Sequence, residues 1–373
     1  MCARLCPTET LCEEACVREK AEGKPVQIGL LQRYATDVVM NIDDHPFERA
    51  PSTNKKIAVV GAGPAGLAAA HRLALLGNNV VIFDAKEKPG GLNEFGIAAY
   101  KSTNDFAQKE VEWLLKIGGI KINYGKLLGR DFSLSGLTDE YDAVFIGAGL
   151  GNVRSLDIDG ESLGNVQDAV EFISSLRQAK DLAELEVGSN VVVIGGGMTA
   201  IDAAVQSKLL GAHDVTVVYR RSMEEMPASV YEQELAKSKG IKFIYNSRPV
   251  QITGTERISS IKFQNTQNDT EFSLQADHLL KAIGQLMDDL PAELSREKNR
   301  IKVDENFKTD VANVFPIERL YIDKIDKNKL NAIFKTNVTP TLVFYKNNIE
   351  IGRISGYSNP EMFWWQIHEI IEN

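Results

Sequence analysis

Two stretches of this chain repeat one grammar: IAVVGAGPAGLAAAHRLALLGNNVVIFDA, beginning at Ile57, and GSNVVVIGGGMTAIDAAVQSKLLGAHDVTVVYRR, beginning at Gly188. Each reads as a short apolar strand, a glycine turn, an alanine-rich helix, a glycine stop and a second apolar strand. Strands of continuous apolar residues are buried on both faces, and a helix between two of them makes a βαβ unit with a parallel sheet. Two such units in succession confine the chain to a doubly wound α/β architecture. A further strand is expected over YDAVFIGAG, Tyr141 to Gly149, and alternating strands over KFIYN, ISSIKFQN and EFSLQADHLLKAIG.

The glycine turns say what the two units hold. Gly61, Gly63 and Gly66 form G-x-G-x-x-G between strand and helix, and Ala62, Pro64 and Ala65 complete the turn. The first glycine permits the tight turn, the second lets a pyrophosphate approach the backbone, and the third lets helix and strand pack closely. Free N–H groups at the helix start face the phosphates. Asp84 closes the second strand, eighteen residues after Gly66, where a carboxylate can accept a ribose hydroxyl. The second unit has Gly195, Gly197 and Ala200 as G-x-G-x-x-A, with Met198 and Thr199 between. Its second strand ends not in an acid but in Arg220 and Arg221. A pair of guanidinium groups there suits the 2′-phosphate of NADP, the alternative being two solvated charges at a strand end. Two nucleotide sites in tandem point to a flavin and a nicotinamide exchanging a hydride, chemistry that belongs to the cofactors and needs no hydrolytic triad.

All four cysteines of the 373 residues fall in the first sixteen, MCARLCPTETLCEEAC. The spacing C-x₃-C-x₅-C-x₃-C admits a disulfide staple, a zinc site or iron–sulfur ligation. No apolar run approaches the roughly 20 residues of a membrane span, and no signal peptide precedes the cysteines. The cytoplasm is therefore the expected compartment, where clustered thiols bind metal more often than they pair. A zinc reading fits four thiols too, its usual pairs being spaced C-x₂₋₄-C on two knuckles. A net charge of -9 argues against a nucleic-acid partner. The five histidines, His45, His71, His213, His278 and His368, show no ligand spacing.

Together CPTETLCEEAC, GKPVQIGLLQRYATD, GAGPAGLAAAHRLALLG, GGLNEFGIAAYK, GGGMTAIDAAVQSKLLGA and VVYRR resemble the pyridine-nucleotide-oxidising subunit of bacterial dihydropyrimidine dehydrogenase, over roughly residues 2–315. The related glutamate synthase small subunit shares the architecture. The resemblance implies electron flow from NAD(P)H to FAD and through [4Fe–4S] clusters to a partner that carries FMN and reduces uracil or thymine. It implies that Ala62 to Gly66, Asp84, Gly91, Leu92 and Leu128 line the FAD site, with Lys101 a basic residue near the flavin. Gly197 to Ala200, Arg220, Arg221 and the turn Ala282-Ile283-Gly284 would meet the nicotinamide cofactor. Cys6, Cys12 and Cys16 match cluster ligands, and Gln32 matches a non-cysteine ligand. The fold expected is α/β: a helical iron–sulfur segment (1–50), the first part of an FAD domain (51–186), an NAD(P) domain (187–285), a truncated return to the FAD domain (286–315) and a thioredoxin-like half-domain (316–373).

Three departures accompany the resemblance. Half the family's cluster cysteines lie in a segment upstream of Met1, so one cluster or none is expected, with N-terminal truncation as the simplest account. The Gly-Gly-Asp turn that follows a strand like DVANVF in the family is replaced by PIERLYIDKID. The last strand, acid and helix of the FAD domain are then expected to be absent, leaving a sheet edge unpaired. Finally, Thr339-Pro340-Thr341 and GYSNPEMFWWQIHEII resemble the second half of a thioredoxin fold, without the C-x-x-C that disulfide exchange requires. Trp364 and Trp365 read as packing residues. A chain joined from fragments of two enzymes near Phe315 is one expectation and an evolved fusion the other. A nucleotide-binding scaffold without turnover is the reading from outside the enzymes.

Overall fold

The computed structural model describes residues 1–287, 291–297, 300–304, 308–316, 341–346 and 349–355. They fall into two compact units, Met1–Glu14 with Val26–Ile317, and Ala15–Pro25 with Glu318–Asn373. The N-terminal segment carries three helices, α1 (Cys2–Leu5), α2 (Val17–Glu22) and α3 (Ile28–Met40), of which α2 belongs to the second unit.

In the first unit the sequence periods give way directly to layers. Strand β1 (Lys56–Val60) leads through helix α4 (Pro64–Leu75) to β2 (Asn79–Phe83). Pro64 stands at the first helical turn, where its missing N–H costs nothing, and Gly77 at φ +90° ends the helix region. Helices α5 (Leu92–Phe95) and α6 (Phe106–Leu115) precede β3 (Ile120–Asn123), and α7 (Leu134–Glu140) precedes β4 (Ala143–Ile146). The chain then leaves this sheet through β5 (Asn152–Val153). A second parallel sheet follows, built from β6 (Val166–Asp168), α8 (Ala169–Gln178), β7 (Asn190–Ile194), α9 (Met198–Leu209), β8 (Asp214–Val218), α10 (Val230–Ser238) and β9 (Lys242–Ile244). An antiparallel meander of β10 (Ser247–Gly254), β11 (Ile258–Asn265) and β12 (Glu271–Gln275) leads back into β13 (His278–Lys281). The return crossover is β14 (Gln285–Leu286), which pairs antiparallel with β5, so the outward and homeward passes lie side by side. The strands β15 (Arg296–Glu297) and β16 (Arg300–Ile301) form a short ladder before β17 (Val314–Pro316).

The first sheet has the order β17-β4-β1-β2-β3 and the second β6-β13-β7-β8-β9, with all neighbours parallel. Alternate residues of each central strand feed different cores, as the period of two demands. Ile57 and Val59 pack with α4 and α6, whereas Ala58 and Val60 pack with Leu134 and Leu137 of α7. Val191 and Val193 meet α8 and α9, whereas Val192 and Ile194 meet the meander through Ile261 and Phe263.

The strand of DVANVF is in place as β17, and the residues after Pro316, where the further loss was expected, lie outside the described residues. Val314, fully buried, pairs with Val144, and Pro316 with Ile146, so β4 is not left as an edge. Pro316 is tolerated because β17 is the outermost strand of this sheet among the described residues, where a missing N–H breaks no ladder. In the second unit, β18 (Thr341–Lys346) and β19 (Ile349–Ser355) form an antiparallel hairpin. The turn expected at Thr339 and Pro340 and the segment GYSNPEMFWWQIHEII, with Trp364 and Trp365, lie outside the described residues.

Candidate functional site

Both glycine turns sit at the carboxyl end of the central strand of a parallel sheet, where open α/β folds bind ligands. Gly61 has φ +99°, and a Cβ there would run into the carbonyl of Gly147 beyond β4. Gly195 has φ +148°, and a Cβ there would meet the carbonyl of Ala282 beyond β13. The third positions are the tight ones: Gly66 packs on the Gly61 carbonyl, and Ala200 is fully buried. The middle glycines face space. A Cβ on Gly197 would meet nothing within 4 Å, and one on Gly63 only the Gly91 Cα at 3.8 Å. A backbone closed on two sides and open over the middle glycine is the shape a pyrophosphate needs.

Asp84, at the tip of β2, is 9% exposed. Its carboxylate accepts from the Ala62 amide at 2.5 Å and the Lys86 amide at 2.8 Å, which holds it beside the first turn with oxygen lone pairs to spare for a ribose. At the matching tip of β8, Arg220 and Arg221 are exposed, and no ion-pair partner of either guanidinium is found among the described residues. Their backbone is pinned, since the Arg220 carbonyl accepts from the Thr266 hydroxyl and the Arg221 carbonyl from the Asn246 amide. Pro64 is exposed, Leu92 is 45% exposed at the start of α5, and Ala65, Leu128, Met198, Thr199, Ala282 and Ile283 are half-buried around the two turns and the core below them; Gly284, at φ +104°, is exposed. These features fit FAD at the first turn and NAD(P) at the second.

Beside the second turn's exit, Lys281 at the end of β13 pairs with Glu161 at 2.8 Å and Asp168 at 3.1 Å. Burial works against the Glu161 carboxylate, but Lys281, the Ser155 hydroxyl and the Leu156 amide outweigh it and hold its pKa down to about 2.

Lys101, expected near the flavin, is engaged by the second nucleotide unit. Its ammonium lies 2.6 Å from Asp202 of α9 and 2.7 Å from Glu232 of α10, so it reaches from the first nucleotide unit into the second. Burial alone would lower its pKa, yet the two carboxylates outweigh that and raise it. Tyr100 donates to Asp202 at 2.9 Å; burial first, then Asp202, pushes its phenol well above the ordinary range. Sequence reasoning did not pick out Tyr100, Asp202, Glu232, Glu94 or Arg177. The available signal was a lone acid, Asp202, on the otherwise apolar face AIDAAV of α9.

His45 and His71 bring their Nε2 atoms within 3.3 Å, and His45 stacks on Trp113 at 4.6 Å.

The four cysteines are free thiols. Cys2 and Cys6 are exposed and Cys12 half-buried in the first unit, while Cys16 belongs to the second. Burial, then the Cys12 and Cys2 thiols and Glu9, push the Cys6 thiol up. Gln32 is exposed on α3, its carbonyl accepting from Thr36. Among the described residues no three His, Cys, Asp or Glu side chains are gathered as a metal ion would require.

Comparison with known proteins agrees with the paired cradles. Residues 55–317 match the pyridine nucleotide-disulphide oxidoreductase family, and residues 1–43 match the dihydropyrimidine dehydrogenase domain II, 4Fe-4S cluster, family. The chain is 33% identical to the NAD-dependent dihydropyrimidine dehydrogenase subunit PreT of Salmonella typhimurium, over 84% of this chain and 74% of that protein. It is 34% identical to the glutamate synthase [NADPH] small chain of Escherichia coli strain K12, over 72% of this chain and 58% of that one. Among solved structures, Mycobacterium tuberculosis FprA in complex with NADPH shares the fold, with a TM-score of 0.59 at 19% identity over 71% of this chain and 78% of that one. Among the described residues no helix is long and apolar enough to cross a membrane. The chain thus belongs to the pyridine nucleotide-disulphide oxidoreductase family, as an FAD- and NAD(P)-dependent electron-transfer subunit whose N-terminal segment is of the 4Fe-4S type.

Proposed function

We propose that this chain draws hydride from NADPH at the turn Gly195–Ala200, places FAD at the turn Gly61–Gly66, and supplies electrons to an FMN-containing partner that reduces a pyrimidine, in the cytoplasm. FAD, when bound, supplies an acceptor that takes two electrons together and can release them singly. The protein's share is binding and orientation. The amides at the start of α4 would cradle its pyrophosphate, Asp84 would accept from its ribose, and Gly91 and Leu92 would border the approach. At the second turn the start of α9 would hold the other pyrophosphate, Arg220 and Arg221 the 2′-phosphate, and Ala282 to Gly284 the nicotinamide side. The observation that carries this reading is the repetition of one open-middled glycine turn on two parallel sheets of a single compact unit.

The test is direct. Full-length chain purified without oxygen should contain about one FAD per chain, and NADPH should bleach the oxidised-flavin band. Added partner and uracil should then yield the dihydropyrimidine. A chain that takes up FAD but is never bleached by NADPH or NADH would sink the proposal. Glutamine-dependent NADPH oxidation with a glutamate synthase large chain would instead assign it to the second relative's reaction.

A further inference from the structure

The segment from Gly90 to Ser102 is attached at its two ends to different nucleotide units. At its start the Gly90 amide donates to the Ala62 carbonyl at 2.8 Å, and Gly91 (φ +53°) lies so close that a Cβ would stand 2.7 Å from the Gly63 Cα. At its end the Ala99 amide donates to Gln206 at 2.9 Å, Tyr100 to Asp202 at 2.9 Å, and Lys101 pairs with Asp202 and Glu232. Between these anchors Arg177 of α8 donates to the carbonyls of Glu94 and, at 3.1 Å, Ser102, while Gln178 donates to the Glu94 carboxylate at 2.8 Å. Glu94, Asp202, Gln206 and Glu232 are all buried. One strap therefore runs from the first glycine turn to the helix that opens the second.

The composition of the contact decides what it is for. One ammonium serving two buried carboxylates is a poor device for stability, because apolar packing of the same volume does as well or better. Directed hydrogen bonds do something that packing cannot: they fix distance and angle. Hydride transfer demands reacting atoms about 3–3.5 Å apart, and a displacement of about 1 Å can cost 10²-fold in rate. Resting on the function proposed above, we infer that Lys101 is a positioning residue: through Asp202 and Glu232 it holds the second nucleotide unit at the spacing where nicotinamide and flavin meet.

Two measurements on the full chain test this. Without any cofactor, Lys101→Met should raise hydrogen exchange in the β5–β14 ribbon by about 10-fold, because the two units are freed to move about that crossover. Unchanged protection there would overturn the inference, whatever the enzyme's activity proves to be. With FAD bound, Lys101→Met should slow flavin bleaching by NADPH about 10- to 100-fold and remove the nicotinamide–flavin charge-transfer band. Dithionite reduction should be unchanged, NADP⁺ affinity should stay within about 2-fold of wild type, and Lys101→Arg should restore much of the rate. A Lys101→Met chain bleached at the wild-type rate overturns the inference, as does one whose loss is fully explained by weaker NADP⁺ binding. If the wild-type chain is itself never bleached, the proposed function fails and the exchange measurement alone decides the strap.

Discussion

Arg220 and Arg221 follow Tyr219, the counterpart of Asp84, and that exchange of sign just past one strand tip gives the two cradles different tastes. An acid accepts from ribose hydroxyls and repels a 2′-phosphate, whereas guanidinium groups bind that phosphate as a fork. Arg220→Glu with Arg221→Glu should weaken NADP⁺ by about 10- to 100-fold in a titration while leaving NAD⁺ nearly unchanged. Equal losses would show that the arginines do not read the phosphate. A second prediction concerns the His45–His71 pair. Burial first, then His45 and Arg72, lower the His71 pKa below its ordinary 6.5. The folded state thus keeps His71 neutral where the unfolded chain would protonate it, so stability is full above pH 6.5 and falls as pH drops below that value. His278, lowered by burial against the opposing pull of Asp277 and Glu186, adds in the same direction. Thermal melts between about pH 7.5 and 5.5 should show a smaller decline for His71→Asn than for the native chain. An identical decline would exclude His71 as a contributor.

Elements were legible to different depths. The βαβ units could be read because strand, turn and helix lie within thirty residues and each period reports its own face. The glycine positions followed from local backbone demands, and the structure repeats them at Gly61 and Gly195 without exception. The strand at DVANVF narrows to Val314–Pro316, three residues that are too short to alternate and whose place depends on Val144 lying beside them. Lys101 illustrates the deeper limit. Its type and neighbourhood were noticed, but its partners, Asp202 and Glu232, lie more than a hundred residues away and carry no signature of their own. The histidine pair was invisible for the same reason, since spacing along the chain says nothing about two side chains brought together by a linker and a helix. Removing one member of the Lys101 cluster leaves a buried carboxylate uncompensated, typically about 3–5 kcal/mol, which is why Lys101→Arg accompanies Lys101→Met above.

At the scale of the whole molecule, the family match closes at residue 317, next to the change of character read near Phe315, and the first compact unit ends at Ile317. Within that unit the second nucleotide fold is an interruption of the first: the chain departs after β4 and comes home to β17, laid directly against β4. Because Asn152 sits opposite Leu286 and Val153 opposite Gln285, the two points of departure and return are neighbours. A cassette with adjoining ends can be lifted out without stretching its host, since bridging a short gap adds little loop entropy, about 0.6 kcal/mol per doubling of length. Replacing residues 152–286 with a brief glycine–serine turn should yield a smaller folded protein that still takes up flavin yet is indifferent to NADPH, as circular dichroism and absorbance would show. An unfolded product would mean that the host leans on its guest. The same geometry lets a lineage exchange one electron donor for another by swapping a single continuous block of sequence, with the acceptor half left untouched.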